Sequence, residues 1–523
     1  MALQLPYDRT YVWVNRLLLL AVALAGIAHV AFLPPFEGYD EIAHLSYIEQ
    51  IADTGHIPRL GIDKISTDVE AYPGPWPYRS RPPYDHGGRN YKAFFAGALP
   101  SLPQNVERLY QPGTWLNWEA QHPPLYYIVM APVYLVAQDW NWTDLFLLLR
   151  LASWGLAFTG FAIGCRATQA ALTRLQVAPV LQFLVPTWPF LFPEFFPEMA
   201  RLGNDSLCLL LMGLGWHLLL RLLDRREPRT ALLLGLILGL GLLTKALFLP
   251  ITVGTVALLG VAAFRDGGRQ YLRSTALVLV AAAVLGGGWY VQNLLSTGSL
   301  IGAADLLKVE RAGGLWSRIG STFNIAGFLH GIGGIATSFA WAGTWSYGRL
   351  SPLYTLPVLL LAAFPIVDWL AQLRGARLPV IAPVFLAGPI ILGLVYHWLT
   401  QMTLGGGGNG TPGWYLHILH GPLALALVVG WRRRGILMML AGYALLFHAA
   451  CWVMQLSLFS GCAFKAGDYK YVQLGSCLIE PSHLAVLGEP TLGMAALALA
   501  VSLGTAAGFI WMMPRQAVAG TAG

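Results

Sequence analysis

Charge is scarce in this chain. Asp, Glu, Lys and Arg make up only 11% of its 523 residues, whereas a soluble protein carries about 25%. Because hydrophobic residues reach 56%, this shortage excludes a soluble domain and indicates a polytopic membrane protein. The net charge of +7 does not indicate nucleic-acid binding, because the basic residues gather in short segments between apolar runs, where they determine membrane topology.

Cysteine is scarce as well, with five residues and no Cys/His spacing typical of a zinc site. Three of the five lie in or beside apolar runs, where cysteine acts as a small packing residue. Cys462 and Cys477 share the polar segment 459–485. If that segment faces an oxidising compartment, the two cysteines can form a disulfide.

Apolar segments of about 20 residues are long enough to cross a bilayer. Their number predicts an all-α bundle of about 12 transmembrane helices, forming a single membrane domain over residues 1–523. The predicted spans lie near residues 14–33, 145–164, 177–196, 206–223, 231–247, 248–264, 275–294, 352–370, 378–397, 416–430, 435–458 and 491–513. A shorter apolar run at 124–138 contains Pro132, and we predict an interfacial or re-entrant helix there.

Arginine positions decide the orientation. If 124–138 does not cross, nearly every short arginine cluster falls on one side, which the positive-inside rule assigns to the cytoplasm. Both termini are then cytoplasmic, and the expected location is a bacterial inner membrane. The long outer segments are 34–144, with interfacial helices, and 295–351, while the cysteine-containing segment 459–485 is also outside.

An acidic pair, Asp40 and Glu41, directly follows the first apolar run. Charge near hydrocarbon is rare unless it faces a cavity or a partner, so this pair predicts a functional site. The plainer alternative is that the two acids cap the helix that follows. His44 lies one helical turn after Glu41, and such a pair could bind a divalent cation. The two histidines of a zinc-protease motif are missing, however. We therefore predict no metal ligand and no certain cofactor.

Further polar and aromatic residues fall on the same predicted side of the membrane. They are Glu119, His122, Arg201, Asn204, Asp205, Lys245, Tyr290, Asn293, Trp414 and Tyr415. Ordinary helix caps, snorkelling cations and the aromatic belt of the membrane interface are the plainer explanations for most of them. Lys245 is different, because it interrupts an apolar run with no acid nearby in the sequence.

The order of four motifs is more specific than any one of them. Asp-Glu-x-x-His begins at Asp40, His-Pro-Pro-Leu-Tyr-Tyr at His122, Asn-Asp at Asn204 and Trp-Tyr-x-x-Asn at Trp289. This order resembles the GT-C glycosyltransferase superfamily, particularly the bacterial relatives of protein O-mannosyltransferases and of the lipid A aminoarabinose transferases. The resemblance covers residues 14–300 well and the remainder loosely.

Two departures from the family pattern are visible. Gly-Tyr-Asp-Glu replaces a more usual Pro-Asp-Glu around Asp40, and Gly-Trp-Tyr, ending at Tyr415, stands where many relatives have Arg-Tyr. The second departure puts a phosphate contact at that position in doubt.

The resemblance implies a GT-C-like bundle that uses a polyprenyl-phosphate sugar as donor and a glycan, lipid or protein hydroxyl as acceptor, among membrane lipids and without nucleic acid. It implies that Asp40 is the general base of an inverting transfer, supported by Glu41 and Asp205. The leaving phosphate needs cations or dipoles. The residues expected to bind substrate are His44, Glu119, His122, Arg201, Asn204, Lys245, Tyr290, Asn293, Trp414 and Tyr415.

Two alternatives to this function stay open. A lipid-linked glycan transporter or flippase would have charges near the bilayer midplane and often repeated halves, whereas the charges here lie mainly at helix ends and no repeat is visible. A glycan ligase or polymerase that uses a pyrophosphate-linked oligosaccharide would share the outer-face chemistry and need a larger donor groove.

Overall fold

The structure is a computed structural model. It describes residues 9–77, 88–265, 268–302, 304–311, 313–346, 348–404, 411–431, 434–461, 493, 496–505 and 508. The predicted all-α membrane class is confirmed, since the only strands in these ranges are β1 (Lys64–Ser66) and β2 (Pro112–Leu116), an antiparallel pair. Cys462 and Cys477, the cysteines of the predicted disulfide, lie outside the described residues.

The first half of the chain forms the helices of the predicted outer segment 34–144 and of the central bundle. These are α1 (Arg9–Phe32), α2 (Glu41–Thr54), α3 (Thr67–Glu70), α4 (Tyr91–Phe95), α5 (Leu125–Ala137), α6 (Trp142–Arg174), α7 (Pro179–Gln182), α8 (Trp188–Leu191), α9 (Phe195–Ala200), α10 (Asp205–Arg225), α11 (Pro228–Leu242), α12 (Phe248–Arg265) and α13 (Arg269–Thr297). A 3-10 turn at Trp118–Gln121 precedes α5.

The second half begins with three helices inside the predicted outer segment 295–351 and returns to the bundle. These are α14 (Ala304–Arg311), α15 (Leu315–Thr322), α16 (Ile325–Ala340), α17 (Pro352–Leu370), α18 (Leu378–Thr403), α19 (His420–Val429) and α20 (Arg434–Phe459). A 3-10 helix at Gly413–Leu419 leads into α19, and Ala496–Thr505 is a short apolar helix.

Eight helices in the described part of the chain are long and apolar enough to cross a membrane: α1, α6, α10, α12, α13, α17, α18 and most of α20. The expected number of 12 is therefore not confirmed. The main difference is the predicted span 177–196, which is divided into α7, α8 and α9. Pro186 and Pro193 fall between these short helices, and proline lacks the N–H that a continuous helix requires.

Two other apolar runs are also shorter than expected. The predicted span 231–247 ends as a helix at Leu242, and α19 contributes only ten residues to the run 416–430. The run 124–138 forms α5, whose 13 residues extend about 20 Å. A hydrocarbon core is about 30 Å thick, so α5 is too short to cross.

Close contact between α6 and α10 positions the start of α10. The two backbones meet at Gly160 and Gly213, where a Cβ on Gly213 would lie 2.1 Å from the carbonyl oxygen of Gly160. Only glycine permits such an approach. Buried aromatic rings anchor the predicted outer segment to the same bundle, since Phe36 packs on Trp76 and Trp142 with ring centroids 5.1 and 5.6 Å apart.

Candidate active site

Asp40 has an unusual backbone conformation at the start of α2. Its φ of 60° and ψ of 10° lie in the left-handed region, and its side chain makes no capping hydrogen bond. Instead Oδ1 accepts a hydrogen bond of 2.8 Å from the indole Nε1 of Trp118. Left-handed geometry costs a non-glycine residue about 1–2 kcal/mol. The helix-cap explanation therefore does not account for this carboxylate, which the surrounding structure holds in a strained position.

Two cations share the carboxylate of Asp205 at the start of α10. Lys245, in the turn between α11 and α12, donates to Oδ1 and Oδ2 at 2.9 and 2.7 Å. Arg201 donates to Oδ2 at 2.9 Å and binds both oxygens of Glu198 at 3.0 and 2.7 Å. The cluster thus joins the α9–α10 corner to the α11–α12 turn.

The remaining guanidinium contacts of Arg201 lead to the first outer segment. Its Nη1 lies 2.8 Å from the carbonyl oxygen of Tyr39 and 3.2 Å from Nε2 of His44. A guanidinium can only donate, so Nε2 of His44 accepts and its Nδ1 carries the proton. That Nδ1 lies 3.0 Å from the hydroxyl of Tyr127. Every nitrogen of Arg201 is therefore engaged within the protein.

Glu119 is the meeting point of this polar chain. Its Oε2 lies 3.2 Å from Nε2 of His122, 3.4 Å from the Tyr127 hydroxyl and 3.5 Å from Nδ1 of His44. Burial, assisted by the charge of Asp40, raises the pKa of Glu119 to about 8. Burial also lowers the pKa of His122 to about 3. At neutral pH, Glu119 is mostly protonated and His122 is uncharged.

The electrostatic environment of Asp40 disfavours the ionised form of its carboxyl group. Burial raises its pKa, and the charges of Arg201 and Lys245 and the hydrogen bond from Trp118 oppose that rise. Burial lowers the pKa of Lys245, but the charge of Asp205 outweighs this and the net shift is upward, so Lys245 stays a cation.

Access to the cluster is through its edge. Asp40, Trp118, His122 and Tyr415 are each partly exposed, whereas the charged groups behind them are buried. The ammonium nitrogen of Lys245 lies 4.4 Å from the centroid of the Tyr415 ring. A ligand that enters beside Asp40 and Tyr415 therefore reaches the cluster from solvent.

Trp414 packs just beside this opening. Its ring stacks on the ring of Tyr39 with centroids 4.4 Å apart, and Tyr39 directly precedes Asp40. Of the two aromatic residues predicted here, Tyr415 contacts a charged group of the cluster, and Trp414 supports its rim.

Glu41 is adjacent to Asp40 in sequence, but its side chain has a different environment. It accepts hydrogen bonds from Nε and Nη2 of Arg150 at 2.8 and 2.5 Å, from the amide of Leu202 at 2.9 Å and from the amide of Gly38 at 3.0 Å. A Cβ at Gly38 would lie 2.4 Å from Cδ of Glu41, so this clamp requires glycine there. Its contacts make Glu41 a positioning residue for the turn that carries Asp40.

Tyr290, Asn293 and Asn204 make no hydrogen bond to the charged groups of the cluster in the part of the chain that the structure describes. The hydroxyl of Tyr290 donates to the carbonyl of Leu242 at 2.9 Å, and Asn293 reaches the carbonyl of Ile301 at 3.5 Å. The first contact joins α13 to the end of α11, and the second is local to the end of α13. Asn204 is fully buried, and its amide has no hydrogen-bond partner among the described residues.

The structure adds residues that were not among the predicted site residues. Trp118 contacts Asp40 and Tyr127 contacts His44. Trp118 directly precedes Glu119, and Tyr127 lies in the first turn of α5. Glu198 precedes Arg201 by three residues, a spacing that places ion partners on one helix face. Within the described residues, no group of three or more His, Cys, Asp or Glu could hold a metal ion.

The fold and this cluster define a multi-pass membrane protein with a buried network of acids and bases at the ends of its helices. The chain belongs to the family described as "Predicted membrane protein (DUF2142)", whose profile matches residues 23–405. No curated protein matches it.

Solved structures of the Archaeoglobus fulgidus oligosaccharyltransferase are similar to this chain. The form tethered with an acceptor peptide has 11% identity and a TM-score of 0.43. The match covers 96% of this chain and 55% of the oligosaccharyltransferase chain. The apo form has 12% identity, a TM-score of 0.43 and coverages of 96% and 56%. The complex of the enzyme, AglB, with an inhibitory peptide and a dolichol-phosphate has 11% identity, a TM-score of 0.41 and coverages of 93% and 56%. The chain thus spans about half the length of these structures.

Proposed function

We propose that this protein is an extracytoplasmic glycosyltransferase of a bacterial inner membrane. It moves a sugar from a polyprenyl-phosphate carrier to a hydroxyl of an envelope glycan, lipid or protein, with inversion. The observation that carries the proposal is Asp40, a strained and partly exposed carboxylate beside a buried cluster with two cations. Its place next to the end of α1 gives access to a lipid carrier and to a water-soluble acceptor.

Asp40 has one oxygen available for proton transfer. Trp118 occupies Oδ1, and Oδ2 has no hydrogen-bond partner in the part of the chain that the structure describes. In the proposed step, Oδ2 takes the proton of the acceptor hydroxyl while the hydroxyl oxygen forms a bond to the anomeric carbon. The bond from that carbon to the phosphate oxygen breaks, and its electron pair leaves with the phosphate.

In this proposal, Lys245 and His122 bind the leaving phosphate. Arg201 has no nitrogen left for a substrate, because Glu198, Asp205 and two groups of the first outer segment engage all three. An ammonium has three donors, and Lys245 gives two of them to Asp205. The third can reach a phosphate that enters along Tyr415, while Arg201 positions Asp205 and His44.

Glu119 and His122 supply neutral hydrogen-bonding groups to the same opening. Because the raised pKa of about 8 keeps Glu119 protonated at neutral pH, it adds no negative charge beside the incoming phosphate. Glu41 acts through Arg150, which also donates to the carbonyl of Pro34 at 2.7 Å, and so fixes the turn before Asp40. Asp205 is a support for the cations rather than a second base.

The test is a transfer assay with the full chain in lipid nanodiscs and a panel of polyprenyl-phosphate sugars, measuring release of polyprenyl phosphate. Asp40→Asn removes the base and keeps the volume, so the rate should fall by about 10²–10⁴. Asp63→Asn is the matched control, because Asp63 lies in the same predicted outer segment and its carboxylate is hydrogen-bonded to Arg59. Normal turnover by a folded Asp40→Asn protein would refute the assignment.

A transporter is the alternative that the same preparation separates. Movement of the lipid-linked sugar between leaflets of a liposome, with no release of polyprenyl phosphate, would replace the transferase proposal. The position of Asp40 at the end of α1, outside the helices long enough to span, favours the enzyme over a midplane transport site.

A further inference from the structure

A cavity lined by arginines and leucines lies at the end of α10 opposite the candidate active site. It has a volume of about 380 Å³ and is lined by the last residues of α6, α10 and α12 and the first residues of α18. From Asp205 in the candidate active site to Asp224 at this cavity, α10 rises about 28 Å. That is close to the thickness of a hydrocarbon core, about 30 Å, so the two sites face opposite membrane surfaces.

The charge of this cavity is strongly positive. Arg174, Arg265 and Arg377 line it together with one acid, Asp224. Asp224 lies 3.4 Å from Nη1 of Arg174, and Arg265 donates to the carbonyl of Ala376 at 3.0 Å. No hydrogen-bond or ion-pair partner of the Arg377 side chain occurs in the described ranges. Two arginines are therefore without a neutralising acid at this cavity.

A phosphate group is the anion that this arrangement fits best. Guanidinium groups bind phosphate oxygens in pairs of parallel hydrogen bonds, and three arginines around one cavity can approach a phosphate from several sides. Basic pockets between membrane helices on the cytoplasmic side are suited to anionic lipid headgroups. The arginine clusters of the sequence place this end of α10 on the cytoplasmic side.

The surroundings favour a lipid over a soluble anion. Leu175, Leu220 and Leu223 contribute apolar surface to the same cavity, which a free phosphate would not use. Beside Arg265, the side chain of Phe264 is 93% exposed and offers further apolar surface to an acyl chain. An anionic phospholipid satisfies both kinds of surface at once.

We propose that this cavity binds the phosphate headgroup of an anionic phospholipid from the leaflet opposite the candidate active site. Arg174, Arg265 and Arg377 hold the phosphate, and the leucines contact the upper part of the acyl chains. The proposal is independent of the transferase activity.

Native mass spectrometry of the full chain in neutral detergent tests the proposal. Phosphatidylglycerol, phosphatidylcholine and inorganic phosphate are added separately to the wild type and to a variant with Arg174→Gln, Arg265→Gln and Arg377→Gln. A basic residue near an anionic headgroup is worth about 1 kcal/mol, or about fivefold in affinity. The triple variant should therefore lose about a hundredfold in phosphatidylglycerol affinity.

The control variant combines Arg221→Gln and Arg225→Gln, two arginines near the same end of α10 that pair with Glu227 and do not line the cavity. It should bind phosphatidylglycerol like the wild type. Arg377→Gln alone changes an exposed side chain and should lower the phosphatidylglycerol affinity about fivefold. This single variant tests the proposal if the triple variant does not fold.

Three outcomes would overturn the proposal. One is equal phosphatidylglycerol affinity of the wild type and the folded arginine variants. A second is equal binding of phosphatidylcholine and phosphatidylglycerol by the wild type, which would exclude recognition of an anionic headgroup. The third is inorganic phosphate binding as tightly as the lipid, which would make the site one for a soluble anion.

Discussion

The hydrogen bond from Trp118 to Asp40 gives the proposed base a measurable signature. Trp118→Phe removes the indole N–H, which lies 2.8 Å from Oδ1, and keeps an aromatic ring in its place. A hydrogen bond to a charged group contributes about 1.5–3 kcal/mol. Since both residues are partly exposed, we take the lower value, which corresponds to about one pKa unit.

The direction of the change follows from which form the hydrogen bond favours. The indole donates to the ionised carboxylate, so its loss raises the pKa of Asp40 above its already raised value. A base must be ionised to act, and the acidic limb of kcat/KM should therefore move to higher pH by about one unit. Well above that limb the variant recovers most of the activity lost at lower pH.

The assay is release of polyprenyl phosphate measured across a pH series for the wild type, Trp118→Phe and Trp140→Phe. Trp140 lies in the same outer segment and is 42% exposed, so its replacement controls for the loss of an indole. An acidic limb that stays in place in Trp118→Phe, with a uniform loss of activity at all pH values, would refute the reasoning.

Three further predictions concern the supporting groups. Lys245→Met leaves Asp205 with one cation and should slow release of polyprenyl phosphate far more than Lys245→Arg, which keeps the charge; equal rates would exclude a phosphate contact. Arg150→Met leaves Glu41 buried without its ion partner and should lower the free energy of unfolding by about 3–5 kcal/mol. The thermal midpoint should fall accordingly, and an unchanged midpoint would show that the Arg150–Glu41 pair does not stabilise the fold. Glu119 ionises as the pH rises through about 8, which adds a negative charge beside the donor phosphate. The wild-type kcat/KM should therefore fall above this pH, and Glu119→Gln should remove that fall.

Much of the candidate site could be predicted from residue type and predicted membrane side. Asp40, His44, Glu119 and Lys245 are polar residues on one predicted side of the membrane, and the structure brings all four into one network. The cost of such groups near hydrocarbon is a property of the residues themselves, so it can be read without coordinates. Tyr290 and Asn293 were predicted from a motif alone, and neither is hydrogen-bonded to this network in the described part of the chain.

Partners could not be predicted for the charged groups. Lys245 has no acid near it in the sequence, yet Asp205, 40 positions earlier, neutralises it in the fold. Similarly, Arg201 was expected to bind substrate, but its nitrogens are hydrogen-bonded to Glu198 and other protein groups. Which cation stays available depends on which acids fold beside it, and that is a long-range property.

The number of membrane-spanning helices shows the same division. Hydrophobicity identified apolar runs, and the eight long helices of the described residues coincide with eight of them. It did not identify where a run such as 177–196 is broken, because proline changes the hydrogen bonding of the backbone while leaving the segment apolar. The path of such a segment is decided by the helices packed around it.

From composition and hydrophobic runs alone, this chain is a helical membrane protein with a costly pair of acids at the end of its first helix, because the penalty for charge near hydrocarbon depends only on residue type and place in the chain. Asp40 and Glu41 are indistinguishable at that level. Tertiary structure separates them: Arg150, 109 positions away, neutralises Glu41, whereas a left-handed backbone holds Asp40 against Trp118 with one oxygen open. Contacts between distant segments, which no local pattern encodes, decide which acid stabilises the fold and which is available for chemistry.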